Sequence, residues 1–123
     1  MKKMMVVVVD DNLVSRLLPS FILRRFGLTV QVMECETGLD ALRLMEIHQV
    51  THVLLDISMP EMDGAKVAEK IRAVSNYSEI KLIAYTADAN VTYLKHVGFN
   101  DVLLKPLKSA DLLLALGLCD SST

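Results

Sequence analysis

The chain divides into short apolar runs and longer segments in which apolar residues recur with a helical period. Five runs, at residues 4–9, 29–33, 52–55, 81–85 and 102–104, are continuously or almost continuously apolar. Continuous runs, as opposed to alternating ones, are typical of strands that are buried on both faces of a parallel sheet. We therefore expect five internal strands.

A helical pattern follows each run, with apolar residues three or four positions apart. The first stripe contains Leu13, Leu17 and Phe21, and Gly27 is its predicted stop. Ser109 is the predicted N-cap of the last helix. Between these lie the stripes Leu39, Leu42 and Met45, then Val67, Ile71 and Val74, then a short fourth helix at residues 90–97 ended by Gly98. The order βαβαβαβαβα predicts an α/β fold, a doubly wound five-stranded parallel sheet with helices on both faces.

Composition is consistent with one domain. The 123 residues, of which 52% are hydrophobic, are enough for one core, expected at about residues 4–118 of a single domain spanning 1–123. The net charge of −2 argues against broad nucleic-acid binding. The apolar runs are too short to span a bilayer, and no signal peptide is evident. Cys35 and Cys119 lack zinc-site spacing and are expected to be reduced thiols, which fits a cytoplasmic protein although a disulfide stays open.

Pro19 conflicts locally with the helical pattern around it. It falls inside the first predicted helix. Because proline removes one helical hydrogen bond and clashes with the preceding turn, we expect a bend there.

Charged and polar residues stand at the ends of four predicted strands. Asp10 and Asp11 follow the first strand, Asp56 the third, Thr86 the fourth and Lys105 the fifth. Ligands bind beyond the carboxyl ends of parallel strands, near the point where the strand order reverses. We therefore expect these side chains to converge at one edge of the sheet.

Three neighbouring carboxylates need compensation. Two charges about 5 Å apart repel by roughly 3 kcal/mol at an effective dielectric constant near 20. A Mg²⁺ ion, which prefers oxygen ligands and keeps several waters, would supply the missing charge, and Lys105 would add a fixed one. The same groups suit phosphoryl transfer, with Asp56 as the oxygen nucleophile and Thr86 as a hydroxyl donor to a phosphoryl oxygen. Taken singly, each has a simpler explanation, since an acidic pair often caps a helix and a Lys-Pro pair often makes a surface turn.

Four segments together resemble the response-regulator receiver domains of two-component and phosphorelay signalling. They are residues 6–12 (VVVVDDN), 54–64 (LLDISMPEMDG), 84–87 (AYTA) and 104–107 (LKPL), and the likeness extends along nearly the whole chain. The resemblance implies a flavodoxin-like (βα)5 sandwich. Arg16 after the acidic pair, together with the 59–64 segment, makes the chain most similar to receivers of hybrid sensor histidine kinases.

The resemblance implies a role for each site residue. Asp56 would accept the phosphoryl group. Asp11 and Asp56 would bind Mg²⁺ directly, together with the backbone carbonyl of Ser58, and Asp10 would hold the ion largely through water. Such a domain is not an enzyme toward separate substrates, since it catalyses only its own phosphorylation and dephosphorylation.

The two remaining segments would contact the phosphoryl group. Thr86 and Lys105 would do so with their side chains and Ala87 with its backbone, where a small residue leaves access to the acceptor. The peptide bond between Lys105 and Pro106 would be cis, as is usual in the family.

The resemblance also implies partners. The phosphoryl donor would be a histidine kinase or a histidine phosphotransfer domain, often docked against the first helix, where Leu13, Val14 and Leu17 are candidates for the contact. A downstream protein partner is expected, without direct contact to nucleic acid or membrane. Whether the chain is a stand-alone regulator or one domain of a hybrid kinase stays open.

One position and one interval depart from the family pattern. Many receivers carry Tyr or Phe three residues before the lysine, where this chain has Val102. The interval from Thr86 to Lys105 is also short by about one helical turn, roughly 3.6 residues. Aromatic switching and output through the fourth helix are therefore open, whereas phosphorylation is expected to survive.

Three other functions fit these residues less well. A degenerate receiver acting only as a protein-binding module would lack the acidic pair, the acceptor or the lysine, all of which are present. An aspartate-nucleophile phosphatase would carry a second acid two residues after the first, where Asn12 follows Asp10. A flavin-binding protein would place a phosphate where Asp10 and Asp11 repel it.

Overall fold

The structure, a computed structural model, describes residues 3–57, 64–88 and 92–118. The strands are β1 (Met4–Val9), β2 (Val30–Cys35), β3 (His52–Leu55), β4 (Lys81–Thr86) and β5 (Asp101–Leu104). The helices are α1 (Leu13–Leu23), α2 (Gly38–Ile47), α3 (Gly64–Arg72), α4 (Leu94–Val97) and α5 (Ser109–Ala115). Short 3₁₀ segments follow α1 at Arg24–Thr29 and α3 at Ser75–Tyr77. The predicted order of strands and helices is confirmed.

The five strands form one parallel sheet in the order β2-β1-β3-β4-β5. The chain passes from β1 to β2 on one side and then to β3 on the other, so the strand order reverses between β1 and β3. The carboxyl ends of these two strands are therefore the expected ligand-binding edge. Val9 lies beside Leu55 in this pairing, directly before Asp10 and Asp56.

Helices cover both faces of the sheet, as the unbroken apolar strands predicted. On one face Val7, Val53 and Leu82 pack with α2, α3 and α4. On the other face Val8 and Ile83 pack with α1 and α5. The central strand residues are inaccessible to solvent. No helix within the described residues is long and apolar enough to cross a membrane.

Several predicted helix ends are displaced. Helix α1 ends at Leu23, before the predicted stop, and Gly27 instead turns the chain with a φ of 57° inside the following 3₁₀ segment. Helix α3 ends at Arg72, so Val74 does not extend its apolar face. Ser109 is the first residue of α5, so the N-cap is Lys108 and not Ser109 as predicted. Lys108 makes no side-chain cap bond.

Pro19 lies inside α1, buried, and the helix continues for another turn beyond it. Its missing N–H leaves the Ser15 carbonyl without its usual helical donor. Proline therefore does not end the helix, because burial of Ile22 and Leu23 against the sheet continues to hold its last turn. Whether the axis bends there stays a prediction.

Helix α4 is short, and hydrogen bonds from neighbouring elements hold its C-terminal end. Of the predicted segment 90–97, residues 94–97 are helical, and residues 89–91 lie outside the described part of the chain. Arg72 Nε donates to the Gly98 carbonyl at 3.0 Å, and its Nη2 donates to Asn100 Oδ1 at 2.7 Å. The same Asn100 oxygen accepts from the Leu82 backbone N–H at 2.9 Å. Arg72 thus ties the end of α4 to α3 and to β4.

Candidate functional site

The site begins at the carboxyl ends of β1 and β3. The Asp10 N–H donates to the Cys35 carbonyl at 3.1 Å, and the Asp56 N–H donates to the Val9 carbonyl at 2.9 Å. Backbone pairing therefore continues through both aspartates, and each side chain leaves the sheet from a fixed position. Asp10 is fully buried and Asp56 nearly so, whereas Asp11 is exposed.

The turn after β1 is fixed by local hydrogen bonds. Asp10 Oδ1 accepts from the Asn12 N–H at 2.9 Å, and Asn12 caps α1 by accepting from the Ser15 N–H at 3.0 Å. Arg16 Nη1 donates to the Asp10 carbonyl at 3.0 Å and lies 3.4 Å from Glu36 Oε1. These bonds orient the acidic pair through its own backbone.

Asp10, Asp11 and Asp56 form the predicted carboxylate cluster. One oxygen from each lies within 4.8 Å of the others. Asp10 Oδ2 is buried and accepts no hydrogen bond of good geometry, so it has coordination capacity left. Mixed burial, with Asp11 facing solvent, suits a hard cation that keeps part of its water shell. The donor set therefore fits Mg²⁺.

Lys105 supplies the positive charge that the cluster needs. Its Nζ lies 2.8 Å from Asp10 Oδ2 and 3.7 Å from Asp56 Oδ2, although Asp10 Oδ2 is not aligned to accept a hydrogen bond. The Lys105 N–H donates to the Thr86 carbonyl at 2.8 Å, which holds the end of β5 beside β4. The following peptide bond to Pro106 is cis, as the family resemblance implied.

Thr86 and Ala87 close the site on the β4 side. The Thr86 hydroxyl is buried and accepts from the Asp88 N–H at 3.0 Å. Because the oxygen is the acceptor in this bond, the hydroxyl proton can be donated to another acceptor. Ala87 is exposed, so its backbone is reachable from solvent.

Tyr85 lies directly beneath the lysine. Its side chain is inaccessible to solvent, and Lys105 Nζ lies 4.9 Å from the centroid of its ring. Burial, reinforced by the negative charge of Asp10, raises the pKa of Tyr85 to about 12, against the opposing effect of a hydrogen bond with the Ser15 side chain. The phenol therefore stays neutral at physiological pH.

Of the seven predicted site positions, the structure brings four side chains together, namely those of Asp10, Asp11, Asp56 and Lys105. Thr86 is joined to Lys105 through a backbone hydrogen bond. Ala87 follows Thr86 on the same edge. Ser58 lies outside the described residues. Sequence reasoning assigned no role to Tyr85 and used Arg16 only as a marker of likeness. A lone tyrosine in an otherwise aliphatic buried strand was the available signal, since a buried hydroxyl requires a partner.

Comparison with known proteins identifies the family. The family model of the response regulator receiver domain matches residues 6–117. This chain belongs to the receiver family. The receiver is 40% identical over 111 residues to the transcription factor SKN7 of Saccharomyces cerevisiae, covering 87% of this chain but only 17% of that protein. It is also 34% identical over 108 residues to the chemotaxis protein CheY1 of Helicobacter pylori, covering 84% of this chain and 86% of that protein.

Solved structures show the same fold. The chemotaxis response regulator CheY4 of Vibrio cholerae superimposes with a TM-score of 0.85 at 25% identity, covering 94% of this chain and 98% of that one. The receiver domain of the sensor histidine kinase PA1611 of Pseudomonas aeruginosa has a TM-score of 0.79 at 30% identity, with coverage of 94% and 98%, and carries a magnesium ion in its active-site cleft. The predicted fold class is thereby confirmed.

Family membership fixes the coarse function. Receiver domains act in two-component signalling, interact with histidine kinases or phosphotransfer partners, and are in general signal transducers and not enzymes. The chain spans only a small part of two of its relatives, 17% of SKN7 and 15% of the sensor kinase CqsS of Vibrio cholerae.

Proposed function

We propose that this receiver accepts a phosphoryl group from a phosphohistidine onto Asp56 in a Mg²⁺-dependent reaction and signals through altered partner binding. The observation that carries the proposal is the position of Lys105, whose ammonium stands between Asp10 and Asp56 at 2.8 and 3.7 Å. A structural ion pair needs one carboxylate, whereas a site for an incoming phosphoryl group needs a nucleophile, a cation site and a mobile counter-charge together.

The chemical step is an in-line displacement at phosphorus. An Asp56 carboxylate oxygen attacks, the P–O bond forms, and the P–N bond to the donor imidazole breaks. The leaving imidazole nitrogen keeps the bonding electron pair and takes its proton from solvent. Lys105 and the Thr86 hydroxyl stabilise the negative charge on the phosphoryl oxygens, and the Ala87 backbone completes the contact.

Asp10, Asp11 and Asp56 would hold the metal ion, with the Ser58 carbonyl as the further proposed ligand. When bound, Mg²⁺ supplies charge neutralisation for the acceptor and the transferring group. Two features of this chain support the assignment: Asp10 Oδ2 accepts no hydrogen bond although it is buried, and the three carboxylates lie close to one another. The roles of the individual ligands remain part of the proposal.

The phosphoryl donor is proposed to be a histidine kinase or a histidine phosphotransfer domain that docks on α1. Leu13, Val14 and Leu17 are 58%, 68% and 44% exposed although they belong to one apolar stripe. The stripe starts at Leu13, directly after the α1 cap and two residues after Asp11, so a partner bound there would present its imidazole to Asp56. The free buried thiol of Cys35 fits a reducing compartment, and we place the reaction in the cytoplasm.

The test is phosphorylation by acetyl phosphate, with and without Mg²⁺, followed by intact mass. We expect a Mg²⁺-dependent phosphoryl adduct on the wild type and none on Asp56→Asn. Asp40→Asn, which changes an exposed aspartate in α2, is the matched control and should be labelled like the wild type. Circular dichroism of all three proteins checks that each is folded.

Two results would contradict the proposal. An adduct that persists in Asp56→Asn would place the acceptor elsewhere. A folded wild type that binds Mg²⁺, yet takes no phosphoryl group from acetyl phosphate or from a panel of phosphorylated histidine phosphotransfer domains, would leave a protein-binding module.

A further inference from the structure

The ammonium of Lys105 lies over the aromatic ring of Tyr85. The ring fills the space beneath Lys105 in β4, one residue before Thr86, and no part of it reaches solvent. The distance of 4.9 Å from the ammonium nitrogen to the ring centroid is within the range of a cation–π contact. Lys105 is only 20% exposed, so the contact is partly desolvated, which strengthens it.

We propose that Tyr85 is a positioning residue for phosphoryl transfer, which holds the Lys105 ammonium over its ring and lets it move between Asp10 and a phosphoryl oxygen on Asp56. This inference rests on the function proposed above. It assigns the ring, and not the hydroxyl, as the part of Tyr85 that acts on the reaction.

The aromatic ring suits this position because it attracts the ammonium without accepting one of its strong hydrogen bonds. A lysine ammonium has three N–H donors, and in this site they face the carboxylates of Asp10 and Asp56, with phosphoryl oxygens as further acceptors in the proposed reaction. A polar side chain at this position would compete for these donors, and an aliphatic side chain would not attract the charge. An aromatic face attracts the charge without fixing its direction, so Lys105 can turn from the carboxylate at 2.8 Å toward the acceptor at 3.7 Å while it stays over the ring.

The far end of Tyr85 is fixed as well. Its hydroxyl is hydrogen-bonded with the Ser15 side chain in the first turn of α1. Ser15 is itself held by the Asn12 cap at 3.0 Å. Tyr85 is therefore held by the backbone of β4 and by the hydrogen bond of its hydroxyl to α1. Its ring stays in place when the Lys105 side chain moves.

The decisive comparison is between two rings of nearly equal shape. Phenylalanine and pentafluorophenylalanine are each placed at position 85, and the rate of Asp56 phosphorylation by acetyl phosphate is measured at saturating Mg²⁺. Both lose the hydroxyl, but the fluorinated ring has its quadrupole reversed and repels the ammonium. We expect Tyr85→Phe to retain most of the wild-type rate, and the fluorinated protein to be slower than Tyr85→Phe by about five- to tenfold.

A double-mutant cycle separates positioning from packing. Tyr85→Met, which removes the ring, should slow the reaction about fivefold in the wild type and by less than about twofold in the Lys105→Ala background. Urea unfolding of each variant reports its stability independently. If Tyr85→Met does not fold, the pair of aromatic variants still decides the question.

The possible outcomes are distinct. Equal rates for the two aromatic variants, or an equal loss from Tyr85→Met in both backgrounds, would overturn the positioning role and leave Tyr85 as a packing residue. A faster reaction without the ring would overturn it too. A wild type that takes no phosphoryl group under any of these conditions would instead refute the function on which the inference depends.

Discussion

At the scale of single residues, Lys105 is what allows three carboxylates to share one edge of the sheet. Asp10 is fully buried, and a buried charge without a counter-ion is costly. The ammonium stands 2.8 Å from it and close to Asp56, so one cation serves two anions. Because a phosphoryl group would need that same charge, the residue that stabilises the resting site is also the one that the proposed reaction would use.

Gly64 is a second residue with a close structural constraint. A Cβ placed on it would lie 2.6 Å from Ile57 Cα and 2.7 Å from the Asp56 carbonyl oxygen, which are both backbone atoms. We therefore expect Gly64→Ala to push the end of β3 away from α3, to lower the free energy of unfolding by about 1–3 kcal/mol, and to slow phosphorylation of Asp56. Urea unfolding and the acetyl phosphate assay measure the two effects.

Gly117→Ala is the matched control for this variant. Gly117 has a φ of 70° and no atom within 4 Å of its added Cβ, so alanine there costs about 1 kcal/mol through backbone strain alone. It should destabilise the protein and leave phosphorylation unchanged. An unaltered phosphorylation rate in Gly64→Ala would mean that the contact with the acceptor strand is not needed.

At the scale of elements, the sequence predicted strands better than helix ends. Complete burial on both faces of the sheet left continuous apolar runs, and each observed strand lies within two residues of its predicted bounds. Helix ends depend on single hydrogen bonds and on tertiary contacts, which periodicity does not report. Helix α1 thus ends at Leu23, and the Arg72 network that holds α4 joins residues 26 and 28 positions apart in sequence.

The positions of the site residues were predictable from the strand ends, whereas the contacts of their side chains were not. Parallel strands end at one edge, so residues after the first, third, fourth and fifth strands had to meet there. The role of Tyr85 was not predictable, because it depends on which face of β4 meets α1 and on the direction of the Lys105 side chain. Val102, at the family's aromatic switch position, pairs with Ala84 and is half-buried, so its effect on output stays a prediction.

The exposed apolar residues of α1 can be tested as a docking surface. Val14→Asp adds a negative charge to the middle of the exposed apolar stripe without touching the sheet. We expect it to slow phosphoryl transfer from a phosphorylated histidine phosphotransfer domain by about tenfold or more, since an unpaired charge would be buried in the interface, and to leave transfer from acetyl phosphate unchanged. The ratio of the two rates is the measurement.

Ile47→Asp is its control. Ile47 is 74% exposed, comparable to Val14 at 68%, and belongs to α2 on the opposite face of the sheet. It should leave both rates unchanged. Equal slowing by the two variants would show a general charge effect and remove α1 as the docking surface.

In the whole molecule, the two ends of the sheet carry different sets of ionisable residues. The carboxyl end holds the charged site, whereas the amino end is lined by His48, His52, Glu79 and Lys81 along a surface groove. Burial, helped by the positive charge of Lys81, lowers the pKa of His52 from its usual value of 6.5. A histidine buried at the end of β3 that lies away from the acceptor links folding to pH without taking part in the reaction.

The sign of this linkage follows from the proton balance. His52 Nδ1 lies 2.8 Å from the Thr51 hydroxyl, which itself donates to the Met5 carbonyl, so the imidazole is the donor in that contact. Protonation gains no new acceptor for Nδ1 and adds a charge in a buried place. The folded state therefore binds the proton more weakly than the unfolded state, and stability is complete above pH 6.5 and falls as the pH drops below it.

We expect the wild type to lose unfolding free energy between pH 7.5 and pH 5.5, and His52→Gln to lose less over the same range, because glutamine fills part of the space and does not titrate. Lys81→Gln should also flatten the curve, since it removes the weaker of the two causes. Urea unfolding at several pH values measures this, with acetyl phosphate labelling at pH 7.5 expected to be unchanged in both variants. Parallel curves for wild type and His52→Gln would assign the acid sensitivity to other groups, and a labelling defect would mean that the two ends of the sheet are coupled after all.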